Sequence, residues 1–260
     1  MNIMSQDKAI IAQIRAQNPL ILNLTNYVSI ELVANGLLCI GAAPVMSFAE
    51  EELESLLQCS KAVVINIGTL NTDFISLAHQ ACKLANQFSV PIILDPVGAG
   101  ASSLRTNACW QLLDSNAIAV IRGNASEIMA LVDSNVRTNG VDSSRAAIEA
   151  IAAAQRLASL SQAVIAISGE TDVIVSQTQS ICIHGGSEIM PYVTGTGCLF
   201  TAIIAAFCAV HNDYYMAAQA ATRFYGACGR LAADKAQGPG SFKMHFLDAL
   251  YQYSQGNSNE

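Results

Sequence analysis

The chain has 260 residues, 52% of them hydrophobic and 13% charged, with a formal net charge of -7. So much apolar content requires a large core and points to further surface covered by other subunits. The absence of a Lys/Arg cluster argues against nucleic acid and anionic membranes as partners.

The N-terminal stretch Met1 to Ile10 is polar and charged, with no apolar run of signal-peptide type. Leu20 to Leu24 reads as the first strand. Ser29 to Ile40 follows as a helix, either broken near Gly36 or continuing past it. Ala43 to Met46 is a short extended segment, and Glu50 to Cys59 is helical with acidic residues in its first turn. Strands at Ala62 to Ile67 and Val90 to Leu94 alternate with helices at Asp73 to Phe88 and Thr106 to Leu113. Ile118 to Arg122 is a strand, followed by helices at Ala125 to Val132 and Ser143 to Leu160. Ala163 to Ser168 is a strand. Val173 to Val175 and Ile181 to His184 pair as a hairpin through Gln177-Thr178-Gln179. Three helical segments end the chain near Tyr253, and residues 254–260 form a polar tail expected to fray. The longest clean apolar run, Leu199 to Val210, is too short to span a bilayer, so a cytoplasmic protein is expected. Alternating strands and helices predict an α/β fold, a three-layer α/β/α arrangement around a mostly parallel sheet. No linker divides the chain, so residues 1–260 are read as one domain.

Eight cysteines are present, yet none forms a CxxC pair, and the four histidines are isolated; disulfide frameworks and zinc sites are therefore not expected. Ligands of open parallel sheets bind beyond the carboxyl ends of the strands. There the sequence turns abruptly from apolar to glycine plus polar: Asn66-Ile67-Gly68, Asp95 to Gly100, Arg122-Gly123-Asn124 and Ser168-Gly169-Glu170. Val193-Thr-Gly-Thr-Gly-Cys198 then makes a tight turn into a buried helix expected to open at Cys198. Such a turn aims N–H groups at an anion and tends to lower the pKa of a thiol placed there. Together these ends predict a rim built for a phosphorylated ligand.

Each residue also has a plainer reading. Asp95 suits Mg²⁺, but Asp-Pro also starts turns. Glu127, three residues after Asn124, fits a capping box as well as a rim carboxylate. Arg122 awaits a phosphate or a carboxylate, Ser168 a phosphate or a turn, and Met46 a ligand pocket or the core. Cys198 is either functional or a small core residue. No P-loop motif occurs, and the dinucleotide-like Gly98-Ala-Gly-Ala-Ser-Ser103 lacks its third glycine.

Several motifs occur together in order: Asn23-Leu-Thr-Asn-Tyr27, Ala34-Asn-Gly-Leu37, Gly41-Ala-Ala-Pro-Val-Met46, Asp95-Pro-Val-Gly-Ala-Gly-Ala101, Gly123-Asn-Ala-Ser-Glu127, Val193-Thr-Gly-Thr-Gly-Cys198 and Gly238-Pro-Gly-Ser-Phe242. Over nearly the whole chain this set resembles the hydroxyethylthiazole kinases of the ribokinase-like superfamily. The resemblance implies ATP-dependent, Mg²⁺-assisted phosphorylation of 4-methyl-5-(2-hydroxyethyl)thiazole, a thiamine salvage step, in a homotrimer with active sites between subunits. By the same resemblance Met46 and Gly195 contact the thiazole, Arg122 and Ser168 contact ATP, and Asp95 and Glu127 serve Mg²⁺ directly or through water. Cys198 occupies the position where many relatives carry an aspartate base. Two departures are Ser168, where threonine is commoner, and Leu22, where histidine is commoner. Three other readings stay open: a kinase of another alcohol such as hydroxymethylpyrimidine, a thiol hydrolase using Cys198, and a non-catalytic nucleotide-binding protein. The hydrolase needs a histidine in reach, and only His184 lies at an expected strand end.

Overall fold

The computed structural model describes residues 4–133 and 143–256. Parts of the polar N-terminal stretch and of the C-terminal tail, residues 1–3 and 257–260, lie outside the described residues.

The strands are β1 (Leu20–Leu24), β2 (Ala43–Met46), β3 (Ala62–Asn66), β4 (Ile92–Asp95), β5 (Val120–Asn124), β6 (Val164–Ser168), β7 (Thr171–Val175) and β8 (Ser180–His184). They form one sheet in the order β2-β1-β3-β4-β5-β6-β7-β8. Pairing is parallel from β2 to β6 and antiparallel across β6-β7-β8, as expected of a mostly parallel sheet ending in a hairpin.

The helices are α1 (Ser5–Gln17), α2 (Ile30–Ile40), α3 (Leu53–Cys59), α4 (Thr72–Gln87), α5 (Ser103–Ser115), α6 (Ala125–Ala130), α7 (Ser143–Ser161), α8 (Thr196–Cys208), α9 (Tyr214–Ala233) and α10 (Pro239–Ser254). They divide between the two faces because strand side chains alternate. Ile21, Val64, Ile93 and Ala166 join a core with α1, α2, α8, α9 and α10. Leu22, Val63, Ile65, Leu94 and Ile165 join a second core with α3, α4, α5 and α7. Both faces are covered, so the central strands read as unbroken apolar runs. The expected three-layer α/β/α fold is borne out.

Differences from the sequence reading are local. Helix α1 was not expected; it follows a polar start and buries Asp7, Ile10, Ile11 and Ile14 along one face. Buried Asp7 takes a bidentate bond from Arg223 of α9, at 2.7 and 2.8 Å. Helix α2 runs unbroken through Gly36, which lies under α8: a Cβ there would sit 2.3 Å from Leu199 Cδ1. Strand β5 continues to Asn124 rather than stopping at Arg122, because Arg122 to Asn124 pair with Ala166 to Ser168 of β6. Helix α8 opens at Thr196, two residues before Cys198. Ser254, assigned to the frayed tail, is instead the buried last residue of α10, with its hydroxyl bonded to Cys39 O.

The strand order creates two breaks in the winding at the carboxyl edge. The winding order reverses between β1 and β3, since β2 is laid down on one side of β1 and β3 on the other, the kind of switch point where α/β sheets bind ligands. A second opening lies where parallel β5 and β6 give way to the β7-β8 hairpin. Helix α8 packs behind β1, β3 and β4, so its first turn stands between the two.

Candidate active site

Gly195 caps α8 at φ +91, a left-handed conformation that glycine adopts without strain. A Cβ there would also come within 3.1 Å of Ser29 Cβ, so the turn rests directly on the start of α2. The first helical bond of α8 runs from Leu199 N–H to Gly195 O at 2.8 Å. The N–H groups of Gly197 and Cys198 therefore precede the helical ladder, as an anion-binding turn requires.

On the β5/β6 side is a cleft of about 780 Å³ lined by Arg122, Ser168, Gly169, Asp172, Gly197 and Phe200 among others. It brings together the two residues expected to contact ATP. Arg122 Nη2 donates to Ser168 Oγ at 2.5 Å, and the guanidinium lies 5.2 Å from the Phe200 ring centre. Its Nη1 stands 3.9 Å from Asp95 Oδ2 and 2.9 Å from where a Gly197 Cβ would lie. Arg122 Nε is buried without a partner. Arg122 thus both approaches an internal carboxylate and lines the cleft. Asp172 was not singled out from the sequence. Burial raises its carboxyl to about 6, against the opposing effects of the Gly169 N–H and Arg122. The Tyr225 hydroxyl donates to Thr196 O at 2.6 Å and fixes the turn from behind.

On the β1/β3 side lies a buried polar chain. Asn66 and Asp95 are register partners on β3 and β4. Asn66 Nδ2 donates to Asp95 Oδ2 at 2.7 Å, and Thr201 Oγ1 of α8 donates to the same oxygen at 2.8 Å. Asn26 Nδ2 donates to Asn66 Oδ1 at 2.9 Å and to Cys198 Sγ at 3.0 Å. Asn26 and Asn66 lay inside stretches quoted from the sequence, but only the fold reveals that they meet. Arg105, also not singled out, donates to the carbonyls of Ile67, Val97 and Gly68 at 2.9, 2.7 and 3.0 Å. It ties the loops after β3 and β4 together.

Cys198 corrects one expectation. A helix start tends to lower a thiol pKa, yet here burial raises it above its ordinary value and nearby Asp95 adds to the rise. The hydrogen bond from Asn26, with the polar Ser29 and Asn66 side chains nearby, offsets only part of this. Burial thus favours the neutral thiol over the thiolate.

Burial likewise raises Asp95 to about 6; Arg122 opposes the shift, Glu127 reinforces it, and the Thr201 and Asn66 bonds oppose it. Asp95 Oδ1 is buried with no hydrogen-bond partner, a free oxygen of the type a hard cation takes. Glu127 differs. Its Oε2 accepts from Asn124 N–H at 2.8 Å and its Oε1 from Gly98 N–H at 2.9 Å. The Asn124–Glu127 capping box is therefore present, and the same carboxylate also holds the loop after β4. Among the described residues no group of three or more His, Cys, Asp or Glu side chains converges on a metal position. A cation here would need phosphate and water oxygens to complete its shell, which suits Mg²⁺.

Met46 lies outside the Arg122 cleft, at the end of edge strand β2 opposite Asn23, half-buried against the core. His184 bonds the Thr171 hydroxyl at 3.0 Å on the exposed hairpin.

Comparison with known proteins supplies the family. Residues 11–256 match the model of the hydroxyethylthiazole kinase family. A hydroxyethylthiazole kinase of Desulfotalea psychrophila is 44% identical over 93% of this chain and 89% of its own length. One from Oleidesulfovibrio alaskensis is 45% identical over 93% and 91%. The solved hydroxyethylthiazole kinase protein from Pyrococcus horikoshii superposes with a TM-score of 0.88 at 34% identity, covering 96% of this chain and 94% of that one. A ribokinase-like superfamily protein from Enterococcus faecalis shares the fold at TM-score 0.69 and 15% identity. With the family model spanning nearly all of the chain, and relatives this similar over the same length, the chain belongs to the hydroxyethylthiazole kinase family.

Proposed function

We propose that the chain phosphorylates the hydroxyl of 4-methyl-5-(2-hydroxyethyl)thiazole with ATP. The observation that carries this reading is the shared first turn of α8. Gly197 lies against Arg122 of the β5/β6 cleft, while Cys198 meets Asn26 on the β1/β3 side. A phosphate donor and an alcohol acceptor held on either side would meet at one set of open N–H groups.

In this reading ATP lies in the Arg122–Ser168 cleft, and the thiazole lies against Gly195 and Met46. Oxygen–phosphorus bond formation by the alcohol accompanies cleavage of the bond to the β–γ bridging oxygen, and ADP leaves. The Gly195–Cys198 turn and Arg122 stabilise charge on the transferring group. Mg²⁺, when bound, neutralises phosphate charge; Asp95 would hold it through its free oxygen and Glu127 through water. A neutral thiol cannot take the alcohol proton, so Cys198 orients the hydroxyl. In a loose transition state that proton is lost late, to the transferred phosphate or to solvent.

The same reading treats residues 1–260 as one catalytic domain in a cytoplasmic homotrimer with active sites between subunits. Among the described residues no helix is long and apolar enough to cross a membrane. Tyr27, Val28 and Leu38 expose 63%, 72% and 58% of their surface, and Tyr27 packs on Phe48 close to edge strand β2. Covering this patch would protect the edge and close the thiazole site at Met46. The test is ADP release against a panel of small alcohols. Release dependent on the thiazole alcohol is expected; release with none of them contradicts the reading.

A further inference from the structure

We propose that Asn66 is a positioning residue for phosphoryl transfer, clamped by Asp95 so that it holds the Asn26 amide against the Cys198 sulfur. The inference rests on the kinase reading for its consequence, but its geometry stands on its own.

Asn66 is fully buried at the end of β3, and its amide can point only one way. Asp95 Oδ2 accepts, so Asn66 must turn Nδ2 toward it. That leaves Oδ1 to accept from Gly68 N–H at 2.9 Å and from Asn26 Nδ2 at 2.9 Å. Asn26 is fixed in turn: its Oδ1 accepts from Ser29 Oγ at 3.0 Å, and its second Nδ2 hydrogen meets Cys198 Sγ. Both amides are thus oriented by their partners: Asn66 donates to Asp95, and Asn26 donates both to Asn66 Oδ1 and to Cys198 Sγ. Flipping either amide sets donor against donor or acceptor against acceptor, and buried polar groups do not tolerate that. Four parts of the chain meet here: β3 with Asn66, the β1–α2 connection with Asn26 and Ser29, α8 with Cys198 and Thr201, and β4 with Asp95, the charged group acting on the sulfur. Space is closed as well, since a Cβ on Gly68 would lie 2.9 Å from the Asn26 amide.

The experiment compares the parent with Asn66→Leu. Two quantities are read: kcat and KM for the thiazole alcohol and ATP, and the rate at which iodoacetamide alkylates Cys198 in the ligand-free protein, followed by peptide mass spectrometry. Loss of a bond to a charged group should lower kcat by about 10- to 100-fold, with KM for ATP little changed. Alkylation should slow, because Sγ loses the N–H that favours its reactive ionised form. A purely structural loosening would expose the thiol and speed it. Asn66→Ser keeps the position polar and is read the same way if the leucine variant does not fold. Parental kcat, or alkylation as fast as the parent or faster, overturns the proposal. If the parent itself transfers no phosphate, the kinase reading fails, and the alkylation rate alone decides the clamp.

Discussion

A thiol at the start of a helix is pulled two ways. The dipole favours its ionised form, and burial beside a carboxylate opposes it. At Cys198 burial wins. Cys198→Ala should therefore lower kcat by about 10²-fold or less, the scale of a lost orienting contact, with ATP affinity nearly intact. Cys198→Asp can accept from the same Asn26 amide and should keep more activity than Cys198→Ala; steady-state kinetics of the pair checks both. Asp172 gives a pH-dependent prediction. Its folded pKa, about 6, lies above the ordinary 3.8. The protonated form is thus favoured on folding, so its contribution is fully present below about pH 4 and lost as pH rises through about 6. Asp172→Asn should raise Tm by about 2–4 °C at pH 7.5, after discounting for partial exposure, and by progressively less toward pH 4. Thermal melts across that range read the difference. Strand-end composition was enough to single out Asp95, Arg122 and Ser168, because apolar runs stop there at polar residues. Arg105 was not legible, because the carbonyls it bonds belong to two loops brought close only by strand register; Asp172 accepts from Gly169 only three residues away, and its burial is what the sequence does not reveal.

At the level of elements, two connections can be tested by stability. Asp7 and Arg223 join α1 to α9 as a buried bidentate pair, 1% and 6% exposed. Removing one partner strands the other charge, so Asp7→Ala should cost about 3–5 kcal/mol in denaturant unfolding. Glu127 does two things at once, capping α6 and holding Gly98. Glu127→Gln should lose about 1 kcal/mol of stability and also need more Mg²⁺ for half-maximal rate. If the Mg²⁺ titration is unchanged while stability falls, the carboxylate is a cap alone. Alternation made nearly every strand legible, since buried β-runs bounded by glycine are distinctive. Helix α1 was missed because Asp7 interrupts its apolar face, and nothing nearby reveals that Arg223, far along the chain, neutralises it. The start of α8 was misplaced because Thr196 and Gly197 resemble turn residues, although Gly195 is the cap.

For the whole molecule, the order β2-β1-β3-β4-β5-β6 creates the switch point, and the hairpin closes the other end of the sheet. Alternating segments indicated the parallel core, but strand order and the meeting of Asn26, Asn66 and Cys198 depend on pairing across long separations. Exposed Tyr27, Val28 and Leu38 lead us to expect association, and the resemblance to the hydroxyethylthiazole kinases implies three copies, so light scattering at micromolar concentration should give three times the chain mass. A monomer would leave Met46 on an open edge. The central claim is the identity of the acceptor. Its most direct test is ³¹P NMR of a reaction containing ATP, Mg²⁺ and equal amounts of the thiazole alcohol and hydroxymethylpyrimidine. A new phosphomonoester resonance on the thiazole alcohol, growing with that of ADP, is the predicted result. Folded protein that forms no phosphomonoester, or forms it faster on the pyrimidine, would contradict the account.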